Sequence, residues 1–161
     1  MKPHENLFQD LEDKKKKICR SAVDIFSSKS FNDTTVSEIA GKAQVGKGTF
    51  YLYFDSKEEL LNYLLSYGIE KLIVRVMNSL DSNYNPVQKL EQAIDTHLNF
   101  FNDYHNYCNF FIREMWSYRD SLEKQIKKLK EEYIVIFENI LKEGQEKGYF
   151  KNIDTETIAS G

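Results

Sequence analysis

What the chain has little of narrows its class first. Two cysteines, Cys19 and Cys108, in 161 residues are too few for a disulfide framework, so a reducing cytoplasm is the expected setting. Two prolines, Pro3 and Pro86, and seven glycines leave long stretches without a helix breaker. That scarcity predicts an all-α fold. No apolar run approaches the roughly 20 residues that cross a bilayer, so no membrane partner is expected. The opening MKPHENLFQDLEDKKKK has no apolar stretch behind its first basic residue and does not read as a signal peptide. Catalytic signatures are missing too: no nucleophile elbow, no phosphate-cradling Gly loop, no zinc quartet and no carboxylate pair. Asp95, His97 and Glu114 carry acid-base groups, but nothing in their spacing groups them. His105 and Cys108 stand three apart with His97 upstream, yet no further ligand accompanies them. No metal and no cofactor are expected.

What is present is a globular helical protein. Hydrophobic residues make up 41% and charged residues 29%, the balance of a chain that buries a core. At this length about 70% of the unfolded surface is buried. The formal net charge of −3 argues against a polyanionic partner until its distribution is read. Residues 1–13 carry one Lys and four acids, residues 14–57 nine Lys/Arg and four acids, and the remainder twelve Lys/Arg and seventeen acids. The positive excess sits on one segment, as phosphate neutralisation requires.

That segment ends in TTVSEIAGKAQVGKGTFYLYFDSK, residues 34–57. Thr35 and Glu38 have the spacing of a capping box, in which each supplies a bond to the other's backbone N–H. Val36, Ile39, Ala40 and Ala43 then recur at helical spacing. Gly46 and Gly48 stop this helix near Gln44, with Val45 in the turn. A second helix of two turns at most follows from Lys47 to Phe54. Phe50 and Phe54, four apart, point inward. Lys47, Thr49, Tyr51, Leu52 and Tyr53 are left on the other side, a set able to meet phosphates, base edges and thymine methyls. Gly48 removes a side chain where a sugar-phosphate wall would come close. Ser56 and Glu59 predict a second capping box, opening a long helix to about Leu80.

Thr35, Ile39, Ala40, Ala43, Val45, Lys47, Gly48, Thr49, Tyr51, Tyr53, Phe54, Ser56, Lys57, Glu58 and Leu60 match the helix-turn-helix signature of the TetR family of bacterial transcriptional regulators. The chain resembles that family strongly over residues 14–61. It departs from the pattern at Gln44, where the family has Gly, and at Gly46, where it has a cap Ser. The resemblance implies a DNA-binding domain over residues 1–58 and a helical effector-binding and dimerisation domain over 59–161. It implies DNA contacts from Thr35, Val36, Ser37, Lys47, Gly48, Thr49, Tyr51, Leu52, Tyr53 and Lys57, the last to a phosphate. The expected partners are a pseudo-palindromic duplex, a second copy of the chain and a small effector. TetR-like proteins continue with two more helices, which build most of the dimer interface, and this sequence resembles one cut just inside the first of them.

Helical periodicity continues elsewhere. Ile18, Ala22, Ile25 and Phe26 give a first helix over Lys14–Lys29 its apolar face. The run Lys14–Lys17 reads equally as a phosphate contact or a solvated face. Val87, Leu90, Ile94, His97, Leu98 and Phe101 follow Pro86 on a helix face. Leu122, Ile126, Leu129, Tyr133, Ile136 and Ile140 mark a last long helix, which Gly148 ends. Asp154–Ile158 starts one more. Aromatics crowd residues 97–118. From them His97, Phe100, Phe101, Tyr104, Phe111, Met115, Trp116 and Tyr118 are taken as effector-lining candidates for a hydrophobic or aromatic molecule, although packed core has the same composition. The leading function is a ligand-responsive repressor. The alternatives are a helical protein-interaction module or a helical enzyme without a recognisable motif.

Overall fold

Reciprocal side-chain caps set where two of the helices begin. Thr35 Oγ1 accepts from the N–H of Glu38 at 3.3 Å, and Glu38 Oε2 accepts from the N–H of Thr35 at 2.8 Å. Asn85 and Gln88 repeat the arrangement ahead of Pro86, both bonds at 3.0 Å. Each pair satisfies donors that a helix start leaves orphaned. The computed structural model describes residues 7–117 and 124–151. Through these run α1 (Asp13–Ser28), α2 (Val36–Lys42), α3 (Lys47–Tyr51), α4 (Lys57–Ser79), α5 (Pro86–Asp103), α6 (His105–Ser117) and α7 (Lys124–Glu146). No strand occurs among the described residues, as an all-α fold requires. Leu122 and Asp154–Ile158 lie outside them.

By contact the chain forms two units, and their border differs from the division at residue 58 read from sequence. Among the described residues, one unit takes 7–67 and 101–117, and the other takes 68–100 and 124–151. In the first, α1 packs on α2, α3 and α6. Ile18, Ala22, Phe26, Ile39, Phe50, Leu60, Leu64 and Phe110 are fully buried, and the Phe26 and Phe110 rings stack at 5.3 Å. The segment ahead of α1 belongs to this core. Leu7 and Phe8 are buried, and Phe8 lies against Tyr67 at 5.2 Å and Tyr107 at 6.3 Å. Tyr67 Oη donates to the carbonyl of Leu7 at 3.1 Å and to Asp10 Oδ1. Burying one such phenyl ring is worth about 1.5–3 kcal/mol.

In the second unit Val76, Ala93, Ile136 and Ile140 form a core that Leu72, Leu80, Leu90, Tyr133 and Phe137 extend. Lys89 Nζ bonds Glu143 at 2.7 Å and ties α5 to α7. The face expected of α5 holds in part, since Leu90 packs on this core and His97 is half-buried. Pro86, Ala93, Thr96 and Phe100 point inward, whereas Val87, Ile94 and Leu98 are 36%, 44% and 54% exposed. Both stripes have helical spacing. At the far end of α7, Gly148 takes φ 74°. Tyr149 N–H bonds the Gly144 carbonyl at 2.8 Å and Gly148 N–H that of Gln145 at 3.1 Å, closing a Schellman turn.

Candidate nucleic-acid interface

The turn between α2 and α3 is also a Schellman turn. Val45 N–H bonds the Ala40 carbonyl at 3.0 Å and Gln44 N–H that of Gly41 at 3.1 Å. This geometry needs a left-handed residue after the helix end, and Gln44 supplies it at φ 56°. The family pattern's glycine is therefore replaced without changing the turn, at a cost on the order of 1 kcal/mol. Gly46, at φ −70° and ψ 152°, caps α3 without a side chain.

The α-helical part of α3 is five residues, shorter than the eight read from sequence, although Tyr53 and Phe54 N–H groups still bond the Phe50 carbonyl at 3.0 and 3.1 Å. Phe50 and Phe54 are buried, with their rings 5.9 Å apart. Lys47, Gly48, Tyr51 and Leu52 are exposed, Leu52 to 80%, on one side of the segment. Thr49 and Tyr53 are half-buried at its edges. At the start of α2, Thr35 and Ser37 are exposed and Val36 is half-buried. A Cβ placed on Gly48 would meet nothing within 4 Å. Its φ lies outside the left-handed range, so the fold itself does not require a glycine there.

Electrostatics hold this region together. Lys29 Nζ reaches Glu38 Oε1 at 2.6 Å. That ammonium, with the N–H and hydroxyl of Thr35, brings the Glu38 carboxyl down to about 2. Lys57 is also tied to the protein's own backbone. Its ammonium donates to the carbonyls of Phe31 and Thr34, both at 2.7 Å, and lies 4.2 Å from the Phe31 ring centre. Ser56 caps α4 by accepting from the Glu59 N–H at 3.0 Å, but Glu59 returns to the N–H of Asp55 and not to that of Ser56. Within the basic run, Lys15 covers the Tyr63 ring at 3.9 Å and Lys16 approaches Asp13 at 3.6 Å. Lys14 and Lys17 are exposed.

Three contributors escaped the sequence reading. Glu12 Oε2 accepts from the Tyr53 hydroxyl at 2.5 Å, and this bond pushes the Tyr53 phenol up. Lys29 supports the α2 cap. Arg113 on α6 donates to the Phe26 carbonyl and, at 3.5 Å, to that of Lys29, closing the end of α1. All three join residues distant in the chain, and local patterns carry no signal for such pairs.

The aromatic candidates divide between the units. His97 is half-buried in the second, with Nδ1 2.5 Å from Tyr133 Oη, and burial lowers its pKa from 6.5. Phe100 is buried beneath Arg75, 5.9 Å away. Phe101, Tyr104 and Phe111 belong to the first unit and are half-buried. Their neighbours Tyr107 and Phe110 are packed core, with Tyr107 Oη donating to the Leu64 carbonyl at 2.5 Å. Tyr118 and the side chains of Met115 and Trp116 lie outside the described residues. A cavity of about 140 Å³ against Phe8, Arg20 and Tyr107 includes none of the candidates. Glu114 is buried and pairs with Arg113 at 2.9 Å. Among the described residues no three His, Cys, Asp or Glu side chains converge as metal ligands, and no helix is long and apolar enough to cross a membrane.

Comparison with known proteins agrees with this geometry. Residues 18–64 match the profile described as bacterial regulatory proteins, tetR family, and residues 83–161 match tetracyclin repressor-like, C-terminal domain. The Bacillus subtilis HTH-type transcriptional regulator YuxN is 28% identical over 75% of this chain and 42% of its own length. This chain thus spans less than half of that relative. The fatty acid metabolism regulator protein of the same organism is 28% identical over 83% of this chain and 69% of its own. The crystal structure of the transcriptional regulator FadR from Bacillus subtilis, in complex with stearoyl-CoA, superposes with a TM-score of 0.76 at 27% identity, covering 89% of this chain and 78% of that one.

Proposed function

Because the chain belongs to the TetR family of bacterial regulatory proteins, we propose that it is a DNA-binding transcriptional regulator, a repressor that leaves its operator when a small apolar effector binds. The observation that carries the DNA reading is the exposed strip Lys47, Gly48, Tyr51 and Leu52 on a segment anchored from behind by Phe50 and Phe54. A cation, a phenol and an apolar tip suit a phosphate wall and base edges. The glycine, unneeded by the fold, leaves room for a backbone to approach. Two copies would set two such segments about 34–36 Å apart, in successive major grooves of a pseudo-palindrome. Phosphate contact falls to Lys47, and Lys57 supports the loop behind it.

The stearoyl-CoA of the FadR structure supports a long-chain acyl thioester as the effector class. Ligand preference for one head spacing would release DNA. A mobility-shift titration against DNA upstream of the gene tests the first claim, with binding expected to weaken steeply as salt rises. No salt-sensitive shift with the dimeric protein would overturn it. Acyl-CoA added to the bound complex tests the second, and release is the expected result.

A further inference from the structure

The Tyr53 hydroxyl is already engaged before any duplex arrives. It donates to Glu12 Oε2 at 2.5 Å across 41 residues of sequence. Glu12 is the N-cap residue of α1, yet its side chain makes no cap bond to that helix. The carboxylate has left the role its position offers and lies on the recognition segment instead. Its position is fixed from behind. Phe8 is buried against Tyr67 and Tyr107, Tyr67 holds the Leu7 carbonyl, and the Leu11 N–H closes a turn on the Phe8 carbonyl at 3.2 Å. Glu12 therefore extends from an anchored strap, not from a loose tail.

We propose that Glu12 is an internal competitor for DNA: its carboxylate occupies the Tyr53 hydroxyl in the place of a backbone phosphate and must yield for the duplex to dock. This rests on the DNA-binding reading above. The chemistry is a matter of counting. A phenol has one proton to donate, and a carboxylate takes it in a strong charge-assisted bond. A phosphate oxygen approaching Tyr53 meets a donor already committed and an anion beside it. The strap and the recognition segment thus carry opposing preferences, and operator affinity is set below what the basic segment would otherwise give.

The test uses the full chain and a duplex that the wild-type protein selects from a random-sequence library. Affinity is measured by fluorescence anisotropy across a salt series for wild type, Glu12→Gln, Tyr53→Phe, the double variant and Asp13→Asn. The last removes the same charge one residue away from the contact. Glu12→Gln is expected to bind about tenfold more tightly, the size of one charge-assisted contact, and Asp13→Asn to change affinity far less. In the Tyr53→Phe background the gain is expected to vanish. An unchanged or weaker Glu12→Gln overturns the proposal. So does a gain that persists in full without the phenol, since the effect would then be general charge. If wild type selects no duplex, the DNA-binding reading itself has failed, and that is visible before any variant is made. Melting curves verify that each variant is folded.

Discussion

The ammonium of Lys57 donates to the carbonyl oxygen of Thr34 at 2.7 Å, and a second bond of the same length goes to Phe31. The first turn of α4 is thereby fastened to the loop that leads into α2. Truncating Lys57 leaves two carbonyls without that partner. Lys57→Ala is expected to cost about 1–3 kcal/mol and to lower the thermal midpoint by a few degrees. Any loss of DNA binding should accompany that loss of stability. Urea denaturation alongside anisotropy checks this, and a variant as stable as wild type that no longer binds DNA would return Lys57 to a direct phosphate role.

Gly48 gives the opposite pattern. Nothing stands within 4 Å of the position a Cβ would take, and alanine is the better helix former by up to about 1 kcal/mol. Gly48→Ala should leave stability unchanged or slightly raised. A methyl group at a surface meant for close approach should weaken DNA binding by about tenfold or more, the effect of about 1–3 kcal/mol of steric conflict. Equal affinity would mean that the duplex does not come near this position.

Gln44 holds a left-handed backbone at φ 56°. Gln44→Gly removes the steric cost of a side chain there and adds freedom to the unfolded chain. The first effect is on the order of 1 kcal/mol and the second offsets much of it, so a small net stabilisation is expected, read as a rise of about 1–2 °C in the melting midpoint. A fall would show that the Gln44 side chain contributes something the backbone geometry does not reveal.

Glu38 should make the region acid-sensitive. Its carboxyl is held at about 2 against an ordinary 4.5, first by Lys29 and then by Thr35. The folded value is the lower one, so its contribution is fully present above 4.5 and is lost as pH falls through that range toward 2. Glu38→Gln should flatten that part of the stability profile and leave the rest unaltered. The comparison is made by denaturant melts of both proteins across the window.

Local signals were legible and long-range ones were not. The Thr35–Glu38 cap, the inward pair Phe50 and Phe54, and the stop at Gly148 all depend on neighbours within four residues, and periodicity reveals those. The same logic would have found Asn85 and Gln88, whose spacing repeats the cap pattern with an amide in each role. For α5 the sequence offered two stripes of equal period, and the packing partners that chose between them lie on other helices. Lys57, Glu12 and Arg113 were opaque for a related reason. Each meets groups between 23 and 87 residues away. The signature placed Lys57 beside the recognition segment but could not say that its amine would be taken by backbone carbonyls.

Phe8 has a consequence for anyone who wishes to transplant this helix-turn-helix unit onto another protein. Its ring is shared between Tyr67 on α4 and Tyr107 on α6, so the natural seams for cutting fall neither before α1 nor after α3. A chimaera spliced at the edges of the recognisable motif would discard the strap and expose the aromatic floor beneath it. One that carries residues from 7 onward together with α6 would keep that floor roofed.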